Sequence, residues 1–155
     1  MKKQEIGKYI KEFYAMCRDI DEVYHHIALQ VGLSDSALMI LCYIAEFGDG
    51  CLQKEIAEYY FINKKTINTL IKNLQVNGYI FLQKGKGRDM HVYLTDSGKE
   101  FVQKHIAPVF EFEIDIFEEF SPNEIQELLS LMRKIAQISR KKAQERFRIR
   151  FKERT

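Results

Sequence analysis

Asn63-Lys64-Lys65-Thr66-Ile67-Asn68-Thr69-Leu70-Ile71-Lys72-Asn73-Leu74 is the stretch on which the reading of the fold turns. Its apolar residues, Ile67, Leu70, Ile71 and Leu74, recur at i, i+3, i+4 and i+7, the spacing of a helix with one buried side. Asn63 is a good N-cap, and Asn77-Gly78 supplies a stop. The other side then carries Lys64, Lys65, Thr66, Asn68, Thr69 and Lys72, with no acid anywhere on the segment. Cations suit phosphates and short polar side chains suit base edges, so such a face is matched to a DNA major groove. The positive end of the helix dipole at Asn63 adds to the attraction for phosphate.

Working outward, Gln53 to Tyr60 is a short amphipathic helix just before this one. Ahead of it, Gly32-Leu33-Ser34 offers a left-handed C-cap followed by an N-cap, and Ala37, Leu38, Leu41, Cys42, Ile44 and Ala45 give a third helix an apolar face. Phe47-Gly48-Asp49-Gly50 breaks that helix. Downstream, Tyr79–Gln83 and Met90–Leu94 are strand-like runs around the turn Lys84-Gly85-Lys86-Gly87-Arg88, which reads as a hairpin. Two short helices followed by a hairpin with a cationic tip make a winged helix-turn-helix. The tip can follow the backbone and place Arg88 in a narrow, electronegative minor groove. Lys84 and Lys86 join the recognition-helix lysines as expected phosphate contacts.

The flanks are long and helical. Ile6, Ile10, Phe13, Cys17, Ile20, Tyr24, Ile27 and Val31 form a heptad stripe, which fits packing against another long helix, in a partner subunit or in the chain itself. Thr95 is placed to cap a helix from Asp96 to about Glu119. Within it, Pro108 and the period-2 run Phe110–Ile116 compete with a helical face of Ile106, Val109, Glu113, Ile116 and Phe120. Ser121-Pro122-Asn123-Glu124 has an N-cap serine, proline at N1 and a capping-box glutamate. It starts a last helix faced by Ile125, Leu128, Leu129, Met132, Ile135 and Ala136. The expected fold is therefore mainly α with a small β-hairpin wing: a winged helix-turn-helix (34–98) between long N-terminal (1–33) and C-terminal (99–155) helices, one structural domain overall.

Composition agrees with this. The 155 residues are 46% hydrophobic and 30% charged, with only 2 Pro and 8 Gly, an ordinary globular balance that favours helix. No run reaches the roughly 20 apolar residues of a membrane span, and no apolar segment follows Met1-Lys2-Lys3-Gln4-Glu5 to make a signal peptide. Cys17, Cys42 and Cys51 are an odd, widely spaced set without CxxC pairing. A cytoplasmic protein with neither a disulfide framework nor a zinc module is expected.

The net charge of +2 conceals segregation by sign. Asn63 to Tyr93 holds six Lys/Arg and one acid, Asp89; Glu111 to Glu127 holds seven acids and no base; Arg140 to Thr155 holds eight bases and two acids. The basic end either extends the last helix as a solvated run or pairs with the acidic block across a dimer.

The run Gln53-Lys54-Glu55-Ile56-Ala57-Glu58, then Asn63 to Leu74, then Asn77-Gly78-Tyr79-Ile80, Arg88 and Val92-Tyr93-Leu94-Thr95-Asp96-Ser97-Gly98 resembles the MarR family of bacterial transcription regulators. It covers about 45 residues closely, and the flanking helices extend it over most of the chain. The resemblance implies a homodimer with intertwined terminal helices, binding to pseudo-palindromic double-stranded DNA, and in many members release by a small molecule or an oxidant. A repressor is the expected role. The sequence departs from the pattern at Leu52, where the family often has Thr or Ser, and at Phe61, where it often has Gly. Thr69 and Asn73 stand where Arg is common. Lys86 takes the place of an Asp that commonly orients the wing arginine. Either other contacts position Arg88 or the wing is looser and more purely electrostatic.

Other chemistry is thinly represented. Tyr14, Tyr24, Tyr43 and Phe47 are candidate lining residues for an effector pocket of the kind the family has between dimer helices and DNA-binding lobe, or are plain core. Cys17 reads as an apolar filler or an oxidant sensor. His25, His26 and His105 lack metal-ligand spacing. No phosphate loop, nucleophile elbow or framed carboxylate pair is present, so neither enzyme activity, a metal site nor a cofactor is expected. Two other functions fit less of the pattern: a winged-helix protein-interaction module that never meets DNA, and a redox or metal sensor with DNA binding as its output.

Overall fold

Polar caps fix where the helices begin. The computed structural model describes residues 2–151. Helix α1, Lys3–Gln30, ends at Gly32, whose φ of 75° is the left-handed value that terminates a helix, while Leu33 N donates back to the Ala28 carbonyl at 2.9 Å. Ser34 Oγ accepts from Ala37 N and starts α2, Asp35–Phe47. A two-residue strand β1, Cys51–Leu52, leads into α3, Gln53–Tyr59, and Asn63 caps α4, Lys64–Val76. Strands β2, Ile80–Lys84, and β3, Met90–Leu94, follow. Thr95 then caps α5, Asp96–Phe101, by accepting from Gly98 N.

The sheet is antiparallel in the order β1-β3-β2. The β2–β3 hairpin runs from Ile80 opposite Leu94 to Lys84 opposite Met90, so the strand-like runs pair as the sequence indicates. β1 is the one strand the sequence reading lacks. It pairs Cys51 with Val92 and Leu52 with His91. Two residues are too few to show a period of two, which is why the pattern does not announce it.

The expected helix from Asp96 to about Glu119 is helical throughout but not uniformly α. Val102–Ile106 forms a π turn, with Ala107 N reaching back to the Val102 carbonyl, and α6 continues over Ala107–Glu118. The wider turn sits just ahead of Pro108, whose ring crowds the preceding turn of a regular helix and whose nitrogen donates no hydrogen bond. The period-2 run 110–116 thus lies in a helix. Ser121, with Glu124 in the reciprocal cap, starts α7, Pro122–Phe147. The Ser121 hydroxyl and amide both donate to the Glu124 carboxylate and hold its pKa below the ordinary value.

The chain forms two compact units, Met1–Val109 and Phe110–Thr155. The first holds the core: Leu38, Ile40, Leu41 and Ile44 of α2, Ile56 of α3, Ile67, Ile71 and Leu74 of α4, Ile80, Val92 and Leu94 of the sheet, and Ile106 and Val109. Burying side chains of this size stabilises the fold by about 1.5–3 kcal/mol each. Within α1 only Ala28 is buried, and α7 buries no residue. Among the described residues, no single helix is long and apolar enough to cross a membrane.

Candidate nucleic-acid interface

The recognition helix α4 is oriented from both ends. At its start, Asn63 Oδ1 accepts from Thr66 N at 2.9 Å and from Thr66 Oγ1 at 3.1 Å. Past its end, Gly78 takes the left-handed φ of 77°. The Gly78 carbonyl accepts from the hydroxyls of Thr95 and Ser97, at 2.5 and 2.9 Å, just beyond the hairpin. Gly98 is buried at the same place, and a Cβ there would overlap the Tyr79 carbonyl. The exit of the recognition helix and the exit of the wing are therefore pinned together, by these two hydroxyls and by Thr95 N donating to the Tyr79 carbonyl at 3.0 Å.

With Ile67, Ile71 and Leu74 inside, α4 exposes Lys64, Lys65, Thr66, Asn68, Thr69 and Lys72, as the sequence indicates. Lys84, Lys86 and Arg88 are exposed on the hairpin. None of the ion pairs seen among the described residues uses Lys64, Lys65, Lys72, Lys84, Lys86 or Arg88. Six cations are thus presented by helix and wing without being neutralised by the protein's own acids.

The hydrogen-bonding groups on α4 are partly committed. Thr66 Oγ1 donates to Asn63, and Thr69 Oγ1 donates to the Lys65 carbonyl at 3.2 Å. Both hydroxyls keep lone pairs and a methyl group for an incoming base, but their protons are used within the helix. Asn68 Oδ1 accepts from Gln53 Nε2 of α3, which fixes the amide and leaves the Asn68 NH2 facing away to donate.

Three residues outside the sequence-derived set shape this surface: Gln53, Lys54 and Asp89. Lys54 Nζ lies 3.0 Å from Asp89 Oδ1. A cleft of about 510 Å³ opens between α3, α4 and the wing, lined among others by Lys54, Lys64, Asn68, Arg88 and Asp89. The available signal was that Asp89 is the single acid between Asn63 and Tyr93.

Both departures around the helix-turn-helix have structural answers. Leu52 offers no side-chain cap to α3, but Glu55 Oε2 accepts from Leu52 N at 3.0 Å and supplies half of a capping box. Phe61 adopts a φ of 54° in the turn, the left-handed region that costs a residue with a Cβ about 1–2 kcal/mol.

The candidate effector residues separate. Tyr43 and Phe47 join an aromatic cluster with Tyr59 and Tyr60, the Tyr43 ring centre 4.5 Å from Phe47 and 5.2 Å from Tyr59. Tyr60 Oη donates to the Met39 carbonyl, and burial pushes its pKa up to about 12. Tyr14 is exposed and makes an edge contact with Phe13 on its own helix, while Tyr24 is half-buried on α1. Cys17, Cys42 and Cys51 are half-buried, and burial with Glu55 nearby raises the Cys51 thiol to about 11. Among the described residues, no three His, Cys, Asp or Glu side chains gather as a metal-ligand set. At the basic end, Lys142 pairs with Glu145 at 2.9 Å and the Arg140 guanidinium lies over the Phe151 ring. Lys152 and Arg154 lie outside the described residues.

Residues 31–88, from the end of α1 through the wing turn, match the MarR family. The whole fold is also that of solved MarR structures. A MarR family regulator from Neisseria meningitidis aligns with a TM-score of 0.74 at 23% identity, over 88% of this chain and 97% of that one. The Staphylococcus aureus MepR–DNA complex aligns with a TM-score of 0.69 at 21% identity, over 83% and 96%. Staphylococcus aureus MarR in complex with salicylate and kanamycin aligns with 0.69 at 20% identity, over 90% and 95%. Among curated protein sequences, none matches this chain.

Proposed function

We propose that this chain is a sequence-specific, double-stranded DNA-binding transcription regulator of the MarR type, a repressor acting as a homodimer on a pseudo-palindromic operator. The observation that carries the reading is the unpaired cationic surface shared by α4 and the wing. Lys64, Lys65, Lys72, Lys84 and Lys86 meet phosphates and set affinity. Asn68 reads base edges through its free amide protons, Thr66 and Thr69 through lone pairs and methyl groups, and Arg88 enters the minor groove. The similar fold of MepR, solved on DNA, supports this use of the surface.

The homodimer is supported by apolar side chains that the chain leaves outside its own core: Ile6, Ile10 and Ile20 on α1, and Leu128, Met132 and Ile135 on α7. Two-fold pairing places two recognition helices about 34–36 Å apart, one helical turn of DNA. Release by a small-molecule effector is supported by the similar fold of MarR solved with salicylate and kanamycin.

The test is fluorescence anisotropy with a duplex from the promoter region of the protein's own gene. Arg88→Ala weakens binding by about 1–3 kcal/mol, and removing one of the lysines lowers the salt dependence by about one charge. An unchanged titration for Arg88→Ala removes that residue from the interface. Absence of binding by the unaltered protein overturns the reading.

A further inference from the structure

We propose that the Lys54–Asp89 ion pair positions the wing, so that Lys54 and Asp89 are positioning residues for Arg88. The inference rests on the DNA-binding reading above and goes beyond it by assigning what holds the minor-groove contact in place.

The hairpin tip is loose by composition, with Gly85 and Gly87 flanking Lys86. Arg88 makes no ion pair among the described residues, and its neighbours in the turn, Lys86 and Gly87, bring no acid to it. The next residue does the ordering. Asp89 closes the turn through its backbone: its N–H donates to the Lys86 carbonyl at 3.2 Å, and its carbonyl accepts from Gly85 N at 2.9 Å. Its carboxylate reaches away from the turn to Lys54 Nζ on the first turn of α3. The same helical turn carries Gln53, which holds Asn68 of α4. Adjacent residues of α3 therefore grip both reading elements, one the recognition helix and one the wing, across the cleft they line.

A plainer account makes Lys54 one more phosphate-binding cation and Asp89 an acid without a role. The two accounts differ in sign. An acid beside DNA repels phosphate, so on the plainer account its removal tightens binding. If the acid positions Arg88, its removal loosens binding. An exposed pair of this kind is worth a factor of about two to five in an equilibrium.

The experiment uses the full chain with Asp89→Ala, and with Lys54→Asp combined with Asp89→Lys, which conserves net charge. Binding to the own-promoter duplex is followed by anisotropy, and amide hydrogen exchange at 85–90 is measured on the free proteins. For Asp89→Ala we expect affinity to fall about two- to fivefold, with exchange of the Gly85 and Asp89 amides faster by a similar factor. The reversed pair restores both. Equal or tighter binding by Asp89→Ala, or exchange no faster than in the unaltered protein, overturns the proposal. If the unaltered protein binds no duplex, the DNA reading fails by itself, and the exchange measurement alone decides whether the pair orders the wing.

Discussion

Helices α4 and α7 carry nearly the same sequence pattern and meet opposite fates. Ile67, Ile71 and Leu74 of α4 are 1–2% exposed, whereas Leu128, Leu129, Met132 and Ile135 of α7 are 38–49% exposed. Both stripes repeat every three to four residues, and both helices have a strong polar start, Asn63 and Ser121. Periodicity therefore tells that a helix face needs a partner, and not where the partner is. For α4 the partner is the lobe's own core. For α7 the described residues supply none, the observation behind the proposed homodimer.

The largest expected effect separates the two helices directly. Ile71→Ala should lower unfolding free energy by about 2–5 kcal/mol at every protein concentration, in a denaturant melt. Ile135→Ala should leave the unfolding of dilute chain nearly unchanged and instead raise the dimer dissociation constant at least about tenfold, measured by sedimentation. Equal destabilisation of dilute protein by both would make the α7 face ordinary interior and remove the contrast. Next in size is Gly98→Ala, where the new methyl meets the Tyr79 carbonyl. A loss of about 1–3 kcal/mol is expected in the same melts, with weakened DNA binding because α4 and the wing are pinned there. A silent substitution would show that this junction does not hold the lobe together. The smallest effect has the opposite sign. Phe61 is 77% exposed and holds a left-handed φ, so Phe61→Gly should stabilise the lobe by about 1 kcal/mol, seen as a raised melting temperature.

What was legible in the sequence follows the same division. Features set by near neighbours in the chain were readable: the caps at Ser34, Asn63, Thr95 and Ser121, the buried side of α4, the paired strands around Lys84–Arg88, and the exposed position of each candidate cation. Features set by distant pairs were not. Gln53 meets Asn68 across 15 positions and Lys54 meets Asp89 across 35, and neither pair leaves a periodic trace. That the Thr66 and Thr69 hydroxyl protons are used locally, on Asn63 and the Lys65 carbonyl, leaves no mark in the sequence pattern. The π turn was hidden because its signal, Pro108, reads equally as a break. The aromatic residues were grouped by type, and the fold regroups Tyr43 and Phe47 with Tyr59 and Tyr60.

The two-residue strand β1 has a mechanical consequence. By joining the chain at Cys51 to the chain at Val92, it turns everything between them into a closed linkage, anchored at both ends to one rung of the sheet. α2 enters this linkage at Cys51, and α3, α4 and the hairpin all lie inside it. Recognition helix and wing thus hang from a shared tether, the short ladder that closes the loop between Cys51 and Val92.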